Sequence, residues 1–211
     1  IVMNNNKSRY TSYGQNSNFS LIDKFGIYLS EIMIKKCIKK LRENNIELLD
    51  LGCGYHAVIL KKLVPIITKG VGVDLVVHED VKLIPKLQFV EQKIEEVFTN
   101  FQNDTFHIIL MNSVLEHLCD PIFVLSECKR ILRKNGVLLI NVPTWTGKFF
   151  LETSAFVFKL SPEIEIDDHK MYYDKKDLWP LLVRSGFKPS SIKMKYHKFG
   201  LNLFSICTNK G

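Results

Sequence analysis

From Ile46 onward the chain repeats one pattern: a short, almost uninterrupted apolar run, a stretch with helical spacing, then another apolar run. The runs Ile46 to Leu51, Val71 to Asp74, Leu87 to Val90, Phe106 to Met111 and Val137 to Val142 read as strands. A strand with one wet face alternates apolar and polar residues; these hardly alternate, so both of their faces must be covered. Strands of that kind separated by helices predict a mostly parallel, doubly wound, Rossmann-like α/β sheet with helices on both faces. The clearest intervening helix opens at Asp120-Pro121, an N-cap followed by proline at the first helical position, and is expected to stop at Asn135-Gly136. The end of the chain changes character. A helix near Asp174 to Ser185 precedes two extended runs, Phe187 to Tyr196 and Leu201 to Thr208, joined through Gly200. They predict a C-terminal antiparallel hairpin that brings the sheet to about seven strands.

Ahead of the alternation, Ser20-Leu-Ile-Asp23 reads as a capping box opening an N-terminal helix within residues 19–45. Ile34, Cys37, Ile38 and Leu41 share one face of it, and Lys35, Lys36, Lys39, Lys40 and Arg42 line the other. Residues 1–18, rich in Asn, Ser and Tyr, are expected to be mobile, and Met3 reads as a candidate start. With 211 residues, 46% hydrophobic and 24% charged, a single domain over 1–211 is expected, neither disordered nor a disulfide-stapled miniature. The cysteines at 37, 53, 119, 128 and 207 form no C-x-x-C pair, and the first ten residues are polar. No apolar run approaches the roughly 18 residues of a membrane span. The expectation is a soluble cytoplasmic protein with free thiols and no transmembrane segment. An excess of 29 basic over 22 acidic side chains, net +7, favours anionic partners without naming one.

In a doubly wound sheet, ligands bind outside the carboxyl ends of the strands where the strand order reverses, so the loops after the runs are the places to search. The first loop, Leu48-Leu-Asp-Leu-Gly-Cys-Gly-Tyr-His-Ala57, takes a strand through a glycine turn into a helix. Gly52 and Gly54, around Cys53, let the backbone approach a ligand at that helix start. The same spacing, Gly52-x-Gly54-x-x-Ala57, also satisfies the nicotinamide-dinucleotide fingerprint. Asp50 tips the choice, because a carboxylate beside the turn repels a pyrophosphate yet accepts from an ammonium-bearing ligand. Asp74, followed by Leu75, ends the second run, where a carboxylate can take both hydroxyls of a ribose. Lys93 and Ile94, after the third run, are candidates for an adenine edge and face, with a plain solvated loop as the alternative.

Four segments in this order, Leu49-Asp-Leu-Gly-Cys-Gly54, Val71-Gly-Val-Asp-Leu75, Asn112-Ser-Val-Leu-Glu-His-Leu-Cys-Asp-Pro121 and Ile131-Leu-Arg-Lys-Asn-Gly-Val-Leu-Leu-Ile140, carry a resemblance. Over residues 46–187 the chain resembles class I S-adenosylmethionine-dependent methyltransferases. Within them it looks most like small-molecule enzymes such as the ubiquinone-biosynthesis O-methyltransferases. The resemblance implies S-adenosylmethionine as cofactor and S-adenosylhomocysteine as its product. It implies that Asp50, Gly52, Cys53 and Gly54 surround the methionine part. It further implies Asp74 and Leu75 at the ribose, Lys93 and Ile94 at the adenine, and Met111, Asn112 and Ser113 along the cofactor's inner side. One departure is His56, where the family often carries a third glycine; a surface position at the helix start is expected for it.

Glu116 and His117 follow the fourth strand and face the expected crevice, so they are the candidate catalytic pair. Methyl transfer is an in-line displacement that rests on alignment, and a hydroxyl acceptor also gains from losing its proton, a role that suits histidine. Packing and a hydrogen bond to the next loop are the plainer reading of His117. His169, with Tyr172, is expected to reach the acceptor pocket as a third candidate. Quinone methyltransferases that hold a divalent metal here imply a glutamate three residues before Glu116, where this chain has Ser113, so no metal is expected. Residues 143–170 form an insertion with Trp145, Phe149, Phe150, Leu151, Phe156, Phe158 and Leu160, read as a lid that favours a partly apolar acceptor. The expected function is methylation of a small molecule, at a hydroxyl. The alternatives are a non-catalytic S-adenosylmethionine-binding protein and a nucleic-acid methyltransferase. Nucleic acid is disfavoured as a partner, because Asn112-Ser-Val-Leu115 is not the Asn/Asp-Pro-Pro-aromatic run of many base-modifying enzymes and the basic residues lack interleaved aromatics.

Overall fold

A computed structural model describes residues 12–15, 20–149 and 170–211. Its centre is one seven-stranded sheet: β1 (Glu47–Leu51), β2 (Lys69–Asp74), β3 (Leu87–Glu91), β4 (Phe106–Asn112), β5 (Leu132–Pro143), β6 (Ile192–His197) and β7 (Asn202–Thr208). Their order is β3-β2-β1-β4-β5-β7-β6. Only β7 runs against its neighbours, pairing antiparallel with both β5 and β6. The doubly wound sheet with its terminal hairpin is thus the observed architecture. The order reverses between β1 and β4, which pair in parallel as Leu48 with Ile108 and Leu51 with Met111, so the crevice opens above that pair.

Side chains alternate across each strand, and the two faces feed separate cores. Leu49, Leu51, Ile109 and Met111 pack towards α4 (Pro121–Ile131) and α5 (Lys175–Arg184), with Val124, Leu125, Leu178 and Leu182. Leu48, Ile108 and Leu110 face the other way, onto α1 (Leu21–Lys40) and α2 (Val58–Leu63), with Ile34, Ile38 and Leu60. Because β1 and β4 are apolar on both faces, both helical layers are needed to dry them. A short α3 (Glu79–Lys82) lies between β2 and β3.

Local signals explain the helix ends. Ser20 Oγ accepts from the Asp23 N–H at 3.1 Å, and the Asp23 carboxylate accepts from the Ser20 N–H at 2.9 Å, closing the expected capping box. Asp120 caps α4 by accepting from the Phe123 N–H at 3.0 Å. The far end of α4 differs from expectation. It stops at Ile131, and Leu132 already belongs to β5, pairing with Phe106 ahead of a register irregularity. Asn135, at φ +65°, sits inside that strand, and Asn209 Nδ2 donates to the Leu132 carbonyl at 2.8 Å. The Asn-Gly pair therefore shapes a bulged strand entry instead of a helix stop, because β7 supplies partners that no local pattern reveals. Among the described residues no helix is long and apolar enough to cross a membrane.

Candidate functional site

The glycine turn leaves β1 at the switch point. Gly52 has φ +74°, a left-handed conformation, and a Cβ there would collide with the Val114 side chain, so no larger residue fits. The Gly52 and Cys53 N–H groups donate to the Val73 carbonyl at 2.8 and 3.0 Å, tying the turn to β2. Asp74, at the end of β2, accepts from the Gly54 N–H at 2.7 Å and from the Leu75 N–H at 2.8 Å. Its carboxylate thus bridges the first two loops, and its remaining lone pairs can still take hydroxyl donors. The side chain of His56 turns onto Tyr55 and His78, with ring centres 4.9 and 5.4 Å away. Burial, then the charges of His78 and Lys61, lower its pKa. The left-handed residue at the helix start is Ala57, at φ +43°.

A cavity of about 450 Å³ opens over the switch point. Asp50, Gly52, Cys53, Gly54, Asn112 and Ser113 line it, together with Glu116 and His117. It is also walled by α1, through Ile22, Phe25 and Leu29, and by the turn between β6 and β7, through Lys198 and Phe199. Asn112 follows the alternation of β4 onto the α1 side, and its Oδ1 accepts from Asn141 Nδ2 at 3.0 Å. Asn141 is fully buried on β5, and its carbonyl receives the Ser113 N–H at 2.8 Å. Met111, one residue earlier, faces the α4 and α5 layer, is fully buried and lies outside the lining. Lys93 is exposed and Ile94 half-buried in the loop after β3. They sit beside Asp74, whose carbonyl accepts from the Gln92 N–H at 3.0 Å, and outside the cavity itself.

Asp50 is 2% exposed. Burial first, and the nearby Asp74 second, push its pKa well above the usual carboxylate range, and no donor among the described residues reaches it. A buried carboxylate on a cavity wall is matched by a ligand ammonium. Cys53 behaves differently: burial and the same two carboxylates hold its thiol protonated. Glu116 is 1% exposed, with its carbonyl accepting from the Lys170 N–H at 2.8 Å. The Tyr173 hydroxyl donates to the Leu115 carbonyl at 3.4 Å, and burial with the Glu116 charge raises its pKa to about 12. Among the described residues no three His, Cys, Asp or Glu side chains gather as a metal site.

His169 lies outside the described residues, as do residues 150–169 of the expected lid. Of the described part, Pro143 and Gly147 line the cavity. Tyr172 is buried against Trp145, ring centres 5.7 Å apart, and does not line it. Sequence reasoning missed Tyr13, whose carbonyl accepts from the Tyr55 N–H at 3.0 Å and which closes the cofactor side of the cavity. It also missed Asn141, although an amide interrupting an apolar run was a readable signal. For Asp23, Phe25, Lys198 and Phe199 there was none.

The sheet order, the glycine turn and the acid ending β2 together define a class I, S-adenosylmethionine-dependent methyltransferase. A family model described as a methyltransferase domain matches residues 26–192, and the chain belongs to that family. S-adenosylmethionine is the cofactor this implies, and the ammonium-seeking Asp50 and the Gly52 turn fit it. Solved structures share the fold. A CurJ carbon methyltransferase is 16% identical at a TM-score of 0.66, covering 91% of this chain and 56% of that one. A SAM-dependent methyltransferase from Archaeoglobus fulgidus is 17% identical at a TM-score of 0.59, covering 90% of this chain and all 100% of the other. Among curated proteins, an uncharacterized 37.1 kDa protein in transposon TN4556 of Streptomyces fradiae is 29% identical over 103 residues. That match covers 46% of this chain and 30% of the Streptomyces protein. The chain thus spans under two thirds of the length of the first of these relatives.

Proposed function

We propose that the chain transfers the methyl group of S-adenosylmethionine to a small molecule, at a hydroxyl oxygen. The observation that carries this reading is the continuity of one cavity. Its cofactor half passes at Glu116 and His117 into a half walled by Ile22, Phe25, Leu29 and Phe199. The space suits a small, partly apolar molecule. The expected roles of Lys93 and Ile94 at the adenine, and of His169 at the acceptor, are part of this proposal.

When bound, S-adenosylmethionine supplies an electrophilic methyl on a sulfonium. Asp50 receives the ammonium of its amino-acid end, the Gly52 turn lets the backbone close in, and Asp74 holds the ribose hydroxyls. Asn112, braced by Asn141, and Ser113 border the passage to the acceptor. His117, with Glu116 beside it, would accept the acceptor's hydroxyl proton, while the apolar wall would exclude water and help orient the acceptor. Free thiols at all five cysteines agree with a reducing cytoplasm as the place of work.

Calorimetric titration with S-adenosylmethionine and S-adenosylhomocysteine, with NAD as competitor, tests the cofactor half. Micromolar binding is expected, weakened about tenfold or more in Asp74→Ala, which removes both loop and ribose contacts. Labelled methyl is then expected in organic-soluble products from a quinol, catechol and hydroxy-lipid panel. Absence of binding to either sulfur ligand, or label found in RNA alone, would overturn the reading.

A further inference from the structure

Among the described residues lining the cavity, Lys198 is a cation that the proposed proton transfer does not use. Lys198 stands at the turn between β6 and β7, and its ammonium reaches back to α1, where Nζ lies 3.6 Å from the position a Cβ on Gly26 would take. That is ordinary contact distance, so the ammonium packs directly against the first turns of α1. The turn is held in an unusual shape: Lys198, Phe199 and Gly200 are successively left-handed, at φ +49°, +59° and +89°. Two side-chain-bearing residues in that region mark a conformation the surroundings enforce, and such strain gathers at ligand sites.

The ammonium makes no hydrogen bond or ion pair among the described residues, although Asp23 of α1 and Glu116 across the cavity both act on it at longer range. Burial overrides them and lowers its pKa to about 8, so near neutrality it is a cation short of a close counter-charge. Beside it, Phe25 and Phe199 offer apolar surface, 52% and 88% exposed. The cavity therefore brings together hydroxyl-accepting groups at Glu116 and His117, apolar walls at Phe25 and Phe199, and a half-buried ammonium.

We propose that Lys198 selects the acceptor by pairing with an ionised oxygen, so that the substrate is a hydroxy acid. Its hydroxyl faces Glu116 and His117, its apolar body lies between Phe25 and Phe199, and its carboxylate sits on Lys198. This rests on the methyltransferase reading above and deepens it. The carboxylate would receive a charge-assisted hydrogen bond from the ammonium.

The test is titration of the protein, saturated with S-adenosylhomocysteine, with salicylate, protocatechuate and caffeate, each against its methyl ester. At least one acid is expected to bind about tenfold or more tighter than its ester. Lys198→Met should bring that ratio close to one by weakening the acid alone, and Lys198→Arg should keep the preference. S-adenosylhomocysteine affinity should be unchanged in both variants, which also reports that they are folded. The inference is overturned if no acid outbinds its ester, if the ratio survives Lys198→Met, or if acid and ester are lost together while cofactor binding stays. In each of those outcomes retained S-adenosylhomocysteine binding leaves the methyltransferase reading standing; its absence from the wild type would count against both.

Discussion

Asp50 is a carboxylate kept out of water next to a second carboxylate, an arrangement that works against folding unless a cation arrives. Its folded pKa is raised, so between the unfolded value of 3.8 and the raised folded value the native state binds more protons than the unfolded one. Stability of the ligand-free protein then falls as pH rises through that window. Asp50→Asn removes the charge and keeps the shape. It should raise the Tm of the ligand-free protein at pH 8 by about 2–8 °C, corresponding to about 1–2 kcal/mol, with a smaller gain at pH 5. The same variant should bind S-adenosylhomocysteine about tenfold or more weakly. A scanning-calorimetry pH series paired with titration checks both, and a variant that loses stability at pH 8 would contradict the assignment. Under the proposed function the residue is placed for the ligand at a cost to the empty protein, as local conflicts at functional sites often are.

At the level of elements, α1 is a wall of the acceptor cavity as well as a cover for β1 and β4, and its first turn carries both duties. Asp23 closes the capping box with Ser20 and acts on Lys198. Removing the cap through Ser20→Ala should cost about 1 kcal/mol, a fall in Tm of about 2–4 °C, with amide exchange in the first turn of α1 rising most. Uniform exchange across the whole chain would argue against a locally anchored wall. This helix also shows what a sequence can and cannot announce. Its capping box is written in four adjacent residues and was legible. So were the apolar strands, the glycine turn and Asp74, because each is a local pattern with one physical meaning. The start of β5 was not, since Leu132 becomes a strand residue only when Phe106 lies alongside and Asn209 takes its carbonyl. The acceptor wall was equally hidden. Gly26 and Lys198 are far apart in sequence and meet only because β7 inserts between β5 and β6, which returns the hairpin turn to the N-terminal helix.

Across the whole molecule, the parallel half of the sheet presents the loops proposed to hold the cofactor and the antiparallel end presents the turn proposed to meet the acceptor, with β1 and β4 as the seam. One further segment crosses from the N-terminal side onto the cofactor loops. Ser12 Oγ accepts from the Val76 N–H at 2.8 Å, and the Tyr13 carbonyl accepts from the Tyr55 N–H at 3.0 Å, so residues 12–15 tie the loop after β1 to the loop after β2. Ser12 is 4% exposed, and Tyr13 forms part of the cavity wall beside Gly54. The expected mobile stretch up to residue 18 therefore contains an anchored piece whose value depends on the fold it spans. A strap that covers a bound ligand slows its escape more than it alters its capture, since most affinity changes at a given site appear in dissociation. The paired substitution Ser12→Ala and Tyr13→Ala should raise the S-adenosylhomocysteine Kd about three- to tenfold, mainly through faster release. Stopped-flow displacement measures that rate directly. An unchanged dissociation rate with a lower Tm would make the segment a brace for the two loops and no cover for the cofactor.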